Sequence, residues 1–178
     1  GEMEATSRLA GIYRCGKMVE EDAKESYRLY RVATKGAVWK RANGFEWVIN
    51  QDTKTLFIRG SNVSYFWERV MPWEEHKKLI KSISILDRIK VNGKELFQGL
   101  NELERVSIPC TYKLIGINPF TDCSKLTRIE VPLKSQRYTI EDGVLFNKEK
   151  TSLIACLPSK SGCYKVPSGV LYIGDKAF

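Results

Sequence analysis

A chain of 178 residues, 43% hydrophobic and 28% charged, has the length of one domain with at most a small appendage, and the composition of a folded protein. Its apolar runs fall short of the roughly 18–20 residues that cross a bilayer, and no signal-peptide core follows the opening Gly1-Glu2-Met3, which looks like a processed terminus. The formal charge of +8 comes from Lys and Arg scattered along the chain without a dense run, which describes a solvated basic surface before it describes an anion-binding site.

Residues 1–40 fit no pattern that recurs later, and their fold is left unassigned. Strand-like alternation at Ile12–Arg14 and at Tyr27–Val32 flanks an acidic, helix-compatible stretch from Val19 to Glu25. Residues 41–79 read as a β-rich lead-in and cap. Phe45, Trp47 and Ile49, then Leu56 and Ile58, alternate across the turn-forming Gln51-Asp52-Thr53-Lys54, which predicts a hairpin. Pro72 at a first helical turn predicts a brief helix over Trp73–Leu79. The aromatics of this region, Trp39, Phe45, Trp47, Phe57, Tyr65, Phe66, Trp67 and Trp73, read more simply as the packing of a cap than as a ligand platform.

From residue 80 onward the chain repeats. Leu103-x-x-Val106-x-Ile108-Pro109 returns as Leu126-x-x-Ile129-x-Val131-Pro132, and Ile80, Ile83 and Ile85 stand the same 23 residues earlier. Gly93 and Phe97 become Gly116 and Phe120 at that step, while Tyr164-x-Val166-Pro167 opens a last copy with Gly174 and Phe178 at the matching offsets. A fixed period in this range marks a solenoid, in which each unit buries its apolar face against its neighbours. The predicted fold class is α/β leaning β. It is a right-handed solenoid with short strands stacked in one parallel sheet, preceded by the β-rich N-terminal cap. Units lie near 80–102, 103–125, 126–160 and 161–178. Ile83, Val106, Ile129 and Tyr164 should form one inward column, and Phe97, Phe120 and Phe178 a second. The three glycines should make the tight corners.

One unit breaks step. Ile129 and Tyr164 are 35 residues apart, and the 12 surplus residues sit among Tyr138–Asn147 and Leu153–Pro158, with a turn dipeptide at Asp142-Gly143. This long variant reads as extra β-structure inside the solenoid. Five cysteines, Cys15, Cys110, Cys123, Cys156 and Cys163, show no metal-like spacing. Cys123 takes the place of Leu100 and reads as a small buried hydrophobe. Cys156 and Cys163 flank a turn, where a disulfide stays open as an alternative. The lone histidine, His76, lies in Glu74-Glu75-His76-Lys77-Lys78, a solvated face. No catalytic, metal or cofactor site is predicted.

The run Ile115-Gly116-Ile117-Asn118-Pro119-Phe120-Thr121-Asp122-Cys123 through Leu126-x-x-Ile129-x-Val131-Pro132, and the closing Ile173-Gly174-Asp175-Lys176-Ala177-Phe178, resemble the unit of the BspA-like leucine-rich-repeat family of bacterial surface proteins. The resemblance covers about residues 43–178. Asn92-Gly93 and Pro119 depart from the family's pattern, and residues 1–40 match nothing in it. The resemblance implies a secreted or surface-attached protein, its signal peptide already removed, that binds host extracellular or bacterial surface proteins in adhesion. It implies no enzyme, no cofactor and no membrane insertion.

On each strand the residue between two inward ones faces out. The outward rows are Ser82 and Ser84, Arg105 and Ser107, Arg128 and Glu130, then Cys163 and Lys165. Arg105, Ser107, Arg128, Glu130 and Lys165 are the candidate binding residues, with the two arginines at the centre because Arg is enriched in interface hot spots. Anionic glycan or nucleic acid on the basic surface, and a structural repeat without a ligand, are the alternatives. Weak self-association through the unfinished C-terminal coil is a further expectation.

Overall fold

In a computed structural model, the described residues are Thr6 and residues 23–42, 45–60, 71–86, 94–108, 118–132 and 135–178. Gly93, Pro109, Gly116, Tyr65, Phe66, Trp67, Cys15 and Cys110, which carried some of the expectations above, lie outside them. The chain is a β-solenoid of about four turns. Its elements are helix α1 (Ala23–Ala33) and strands β1 (Lys40–Ala42), β2 (Phe45–Asn50), β3 (Thr55–Arg59), β4 (Ser82–Ile85), β5 (Arg105–Ser107), β6 (Arg128–Glu130), β7 (Tyr138–Glu141), β8 (Val144–Asn147), β9 (Ser152–Cys156) and β10 (Tyr172–Ile173). A 3-10 helix, Glu74–Leu79, leads into β4.

The parallel strands pair at the step read from the sequence. Ile83 stands opposite Val106 and Val106 opposite Ile129, and each is at most 2% exposed. The predicted hairpin of β2 and β3 is antiparallel, with Ile49 opposite Leu56. β3 then runs parallel to β4, placing Leu56 beside Ile83. The cap is therefore continuous with the solenoid: one sheet runs β1-β2-β3-β4-β5-β6. Trp47 and Trp73 are buried behind it, their rings 5.9 Å apart in edge contact. Phe97 and Phe120 form the opposite wall with centroids 4.8 Å apart, both buried.

The last unit departs from the expected column. Residues 164–166 form no strand. Tyr164 and Val166 instead pack on Val144, Phe146, Leu153 and Ala177, the core of a second sheet ordered β10-β9-β8-β7. The surplus residues build β7 and β8 around Asp142 (φ 48°) and Gly143 (φ 74°), a two-residue turn with both central residues left-handed. This sheet supplies an apolar face that the regular coils lack, and Tyr164 takes it in place of the Ile129 column. Phe178 follows Tyr164, with ring centroids 6.2 Å apart, and is 67% exposed instead of filling the interior. The left-handed residue of that corner is Lys176 (φ 57°) rather than Gly174.

Residues 27–32 are helical, not a strand. Leu29, Tyr30 and Ala33 are buried while Arg28, Arg31 and Val32 are exposed, the spacing of a helix lying on a surface. That surface is the outward face of the large sheet, where Val48, Phe57 and Leu86 complete a second core. Tyr30 meets Phe57 edge-on at 5.9 Å. Asn50 ties helix to hairpin. Its Nδ2 donates to the Ala33 carbonyl at 2.8 Å, one of the carbonyls a helix end leaves unpaired. Its Oδ1 accepts from the Asp52 and Thr53 amides at 3.0 and 2.9 Å.

Candidate functional site

The strand register defines two outward rows across the large sheet. One runs Val48, Phe57, Ser84, Ser107, Glu130, and the other Asn50, Thr55, Ser82, Arg105, Arg128. The rows change chemistry along the solenoid axis. At β2 and β3 the first row is apolar, with Val48 and Phe57 packed beneath α1, and the second is the buried polar pair Asn50 and Thr55. At β4 the helix still reaches across, since the Ser84 hydroxyl donates to the Tyr30 hydroxyl oxygen at 3.1 Å. At β5 and β6 the rows become Arg105, Ser107, Arg128 and Glu130.

These four predicted residues are brought together, but not as an open polar face. Ser107 is 8% exposed, and Ser82 and Ser84 are buried as well. Arg105 is half-buried and extends back along the row, its Nε donating to the Ser82 hydroxyl at 3.4 Å. Arg128 is the outermost member, its side chain 54% exposed, with its Nε 3.0 Å from a Glu130 carboxylate oxygen. The accessible part of the patch is thus exposed Arg128 with a half-buried Glu130 beside it, which presents a donor fork next to an acceptor instead of a bare positive charge. Lys165 does not join it, because residues 164–166 are outside the sheet.

Ion pairs beside the sheet follow the same step. Lys81 Nζ pairs with Glu104 at 3.1 Å and Lys125 Nζ with Glu102 at 2.8 Å, each pair 23 residues apart in sequence. The Gly99 amide donates to Asp122 at 3.1 Å across the same interval. The Lys125 hydrogen bond holds the Glu102 carboxyl below its ordinary range. These bonds join coil to coil and consume charges that would otherwise face a partner.

The reading from sequence missed α1 as the cover of this face. A signal was present: Trp47-Val48-Ile49 and Leu56-Phe57-Ile58 are unbroken apolar runs, the mark of strands buried on both faces. Trp47 and His76 rings stand 6.2 Å apart. The described cysteines, Cys123, Cys156 and Cys163, are free thiols, with Cys123 donating to the Phe97 carbonyl at 3.5 Å and Cys156 to that of Leu157 at 3.8 Å. Among the described residues no three His, Cys, Asp or Glu side chains gather as a metal site, and no helix is long and apolar enough to cross a membrane.

Comparison with known proteins agrees with this geometry at the level of the repeat. A leucine-rich repeat protein of solved structure from Eubacterium ventriosum aligns at 16% identity over 76% of this chain, with a TM-score of 0.37, and this chain spans 55% of its length. No curated protein matches the chain. The model of the BspA type leucine-rich repeat region, six copies long, matches residues 75–178. With that match over the stretch where strands, phenylalanines and ion pairs share one step, the chain belongs to the BspA-type leucine-rich repeat family.

Proposed function

We propose that this is a non-catalytic cell-surface or secreted repeat protein that binds host extracellular or bacterial surface proteins in adhesion, through the outward face of β5 and β6. Membership in a repeat family of the protein-interaction kind supports the class of function. The single observation carrying the site is the change along the outward rows, from buried residues covered by α1 (apolar Val48 and Phe57, polar Asn50 and Thr55) to Arg105, Ser107, Arg128 and Glu130 at β5 and β6. Residues 80–178 carry the solenoid in this reading and residues 41–79 close its first coil. The helix within residues 1–40 limits the binding face to its far end. Arg105 and Arg128 are the centre, Ser107 and Glu130 set the geometry around them, and Lys165 is a peripheral contact from the last unit. A face of two strands is small beside a standard interface of about 800 Å² per partner, so affinity is weak for one copy and grows by multivalency, including self-association through the C-terminal coil.

The test replaces Arg105 and Arg128 together with serine and measures adhesion to immobilised extracellular-matrix proteins and to host cells. Thermal stability is checked first, because Arg105 also holds Ser82. Removing two hot-spot arginines should weaken adhesion at least about tenfold, the equivalent of about 1.4 kcal/mol. Undiminished adhesion by the folded double variant would place the contact elsewhere.

A further inference from the structure

Residues 23–42 hold six Lys and Arg against a single acid, Glu25. That is a local excess of five in a chain whose net charge is +8. Arg28 and Arg31 on α1, and Lys35 in the turn that ends it, are exposed. Steps of three and four align them along one side of the helix, away from the buried Leu29, Tyr30 and Ala33. Beside the helix, β1 and β3 extend the same outward face of the sheet. Arg41 stands opposite Glu46, and Glu46 opposite Arg59. Glu46 lies two residues along β2 from Val48, and so on the face that α1 covers.

Glu46 receives Arg41 Nε on one oxygen at 3.0 Å and Arg59 Nε on the other at 2.7 Å. Arg59 is fixed a second time, its Cζ 4.0 Å from the centre of the Trp39 ring, a cation–π contact. Trp39 in turn packs against the core beneath α1. The side chain of Arg41 is 86% exposed and that of Glu46 26%, so Arg41 is held at Nε and offers its terminal nitrogens to solvent. Arg28 and Glu25 show the same order, at 65% and 28%. Elsewhere the order reverses: Lys160 is 20% exposed and its partner Asp142 76%, and Lys77 lies deeper than Glu74. Solvation favours exposing acid and base alike, so it does not account for a face on which the carboxylates are recessed and the cations stand outermost.

We propose that α1 and β1 together form a binding site for a sulfated polysaccharide, separate from the β5–β6 face. Arg31, Lys35 and Arg41 are its contacts, and Glu46 and Arg59 are positioning residues that hold Arg41. Sulfate groups suit the guanidinium fork, and Arg41 is already ordered, which lowers the entropic cost of binding. The recessed carboxylates select among polyanions. A DNA backbone presents only acceptors, which Glu25 and Glu46 repel. A sulfated sugar presents hydroxyl donors beside its sulfates, and a carboxylate with both oxygens engaged keeps lone pairs to accept them. Nucleic-acid bases also need open aromatic rings to stack on. Here Arg59 occupies the Trp39 ring, and Tyr30 and Phe57 are buried. Exposed cations hold a single sulfate ion weakly, so a polymer that repeats the group is favoured over the free ion.

Isothermal titration with a size-defined heparin oligosaccharide at about 0.15 M salt should show binding, and the same oligosaccharide stripped of its sulfates should show none. Duplex DNA of matched charge should bind at least about tenfold more weakly. Arg31→Gln combined with Arg41→Gln should weaken heparin binding about tenfold with the melting temperature unchanged. It should also flatten the dependence of log affinity on log salt concentration by about one unit per residue. Lys78→Gln with Lys148→Gln removes the same charge from exposed positions elsewhere and should change the affinity less than about twofold. Glu46→Gln separates positioning from charge. Loss of an acid strengthens attraction to a polyanion if charge alone acts, and weakens it if Glu46 orders Arg41; weaker binding is expected. Tighter binding by Glu46→Gln overturns the proposal, as do equal losses in the two double variants, since either reduces the site to net charge. DNA that binds as tightly as heparin overturns it in favour of a nucleic-acid surface, and absence of heparin binding overturns it outright. The Arg105/Arg128 variant should bind heparin normally, so failure of the adhesion reading and failure of this one are told apart.

Discussion

Three phenylalanines occupy equivalent places in the repeat, yet the structure makes them energetically unequal. Phe97 is fully buried, Phe120 is 2% exposed, and their rings meet at 4.8 Å, whereas Phe178 is 67% exposed. Truncating a buried phenylalanine removes its transfer free energy and leaves a cavity, together costing about 3–5 kcal/mol. For Phe97→Ala the upper half of that range applies. The ring is enclosed by the rigid coil interior, and the stacking with Phe120 adds about 0.5–1.5 kcal/mol beyond area burial. A loss of about 4 kcal/mol in a chain of this length lowers the melting temperature by roughly 8–16 °C. Phe178→Ala should stay within about 0.5 kcal/mol, as surface substitutions do. Urea denaturation followed by circular dichroism supplies both stability losses, and a thermal melt supplies the temperature shift. The double variant of Phe97 and Phe120 should show a coupling near the aromatic term. Equal losses at Phe97 and Phe178 would refute the reasoning, because they would mean that Phe178 sits in the interior column after all.

Two further outcomes follow from side-chain chemistry. Glu46 accepts hydrogen bonds from Arg59 at 2.7 Å and from Arg41 at 3.0 Å, which hold its carboxyl below the ordinary range. A depressed folded-state pKa contributes stability that is complete above the unfolded value of about 4.3 and is lost as pH falls through the folded one. The stability of the wild type should thus decline below that point more steeply than that of Glu46→Gln. Parallel pH profiles of urea midpoints would count against the bridging role. The Cys123 thiol is pushed up to about 12, chiefly by burial and secondarily by the charge of Asp122. It should resist aromatic disulfide reagents in the native state at mildly alkaline pH, while the exposed Cys163 reacts. Cys123→Ser should lower the labelling count by one in denaturant and leave it unchanged in the folded protein.

What the sequence made legible follows from where a single physical rule decided the outcome. The 23-residue step fixed the pairing of Ile83, Val106 and Ile129, because stacked coils leave each inward strand position only one environment to occupy. Asp142-Gly143 announced its hairpin because few other dipeptides accept two left-handed residues. Tyr164-x-Val166 was misread because the motif matched but the surroundings did not: β7 to β9 offered Val144, Phe146 and Leu153 as a nearer apolar face. Spacing identifies equivalent residues only where the neighbouring coils are equivalent too.

The outward face shows the same limit from the other side. Tyr27-Arg28-Leu29-Tyr30-Arg31-Val32 alternates well enough to pass as a strand, and over so few residues a period of two and one of 3.6 are hard to separate. The decision lay elsewhere in the chain. Val48 and Phe57 are apolar residues at outward positions, and two large side chains on one face of a sheet require a partner. Helix α1 meets that requirement with Leu29, Tyr30 and Ala33. The Tyr30 hydroxyl then extends the covered region to Ser84. Cover and site are therefore one problem. The residues that draw the helix onto β2 to β4 also decide where the sheet stops being core and Arg105 and Arg128 begin to face outward. The adhesion proposal thus depends on α1 as much as on the arginines it leaves uncovered.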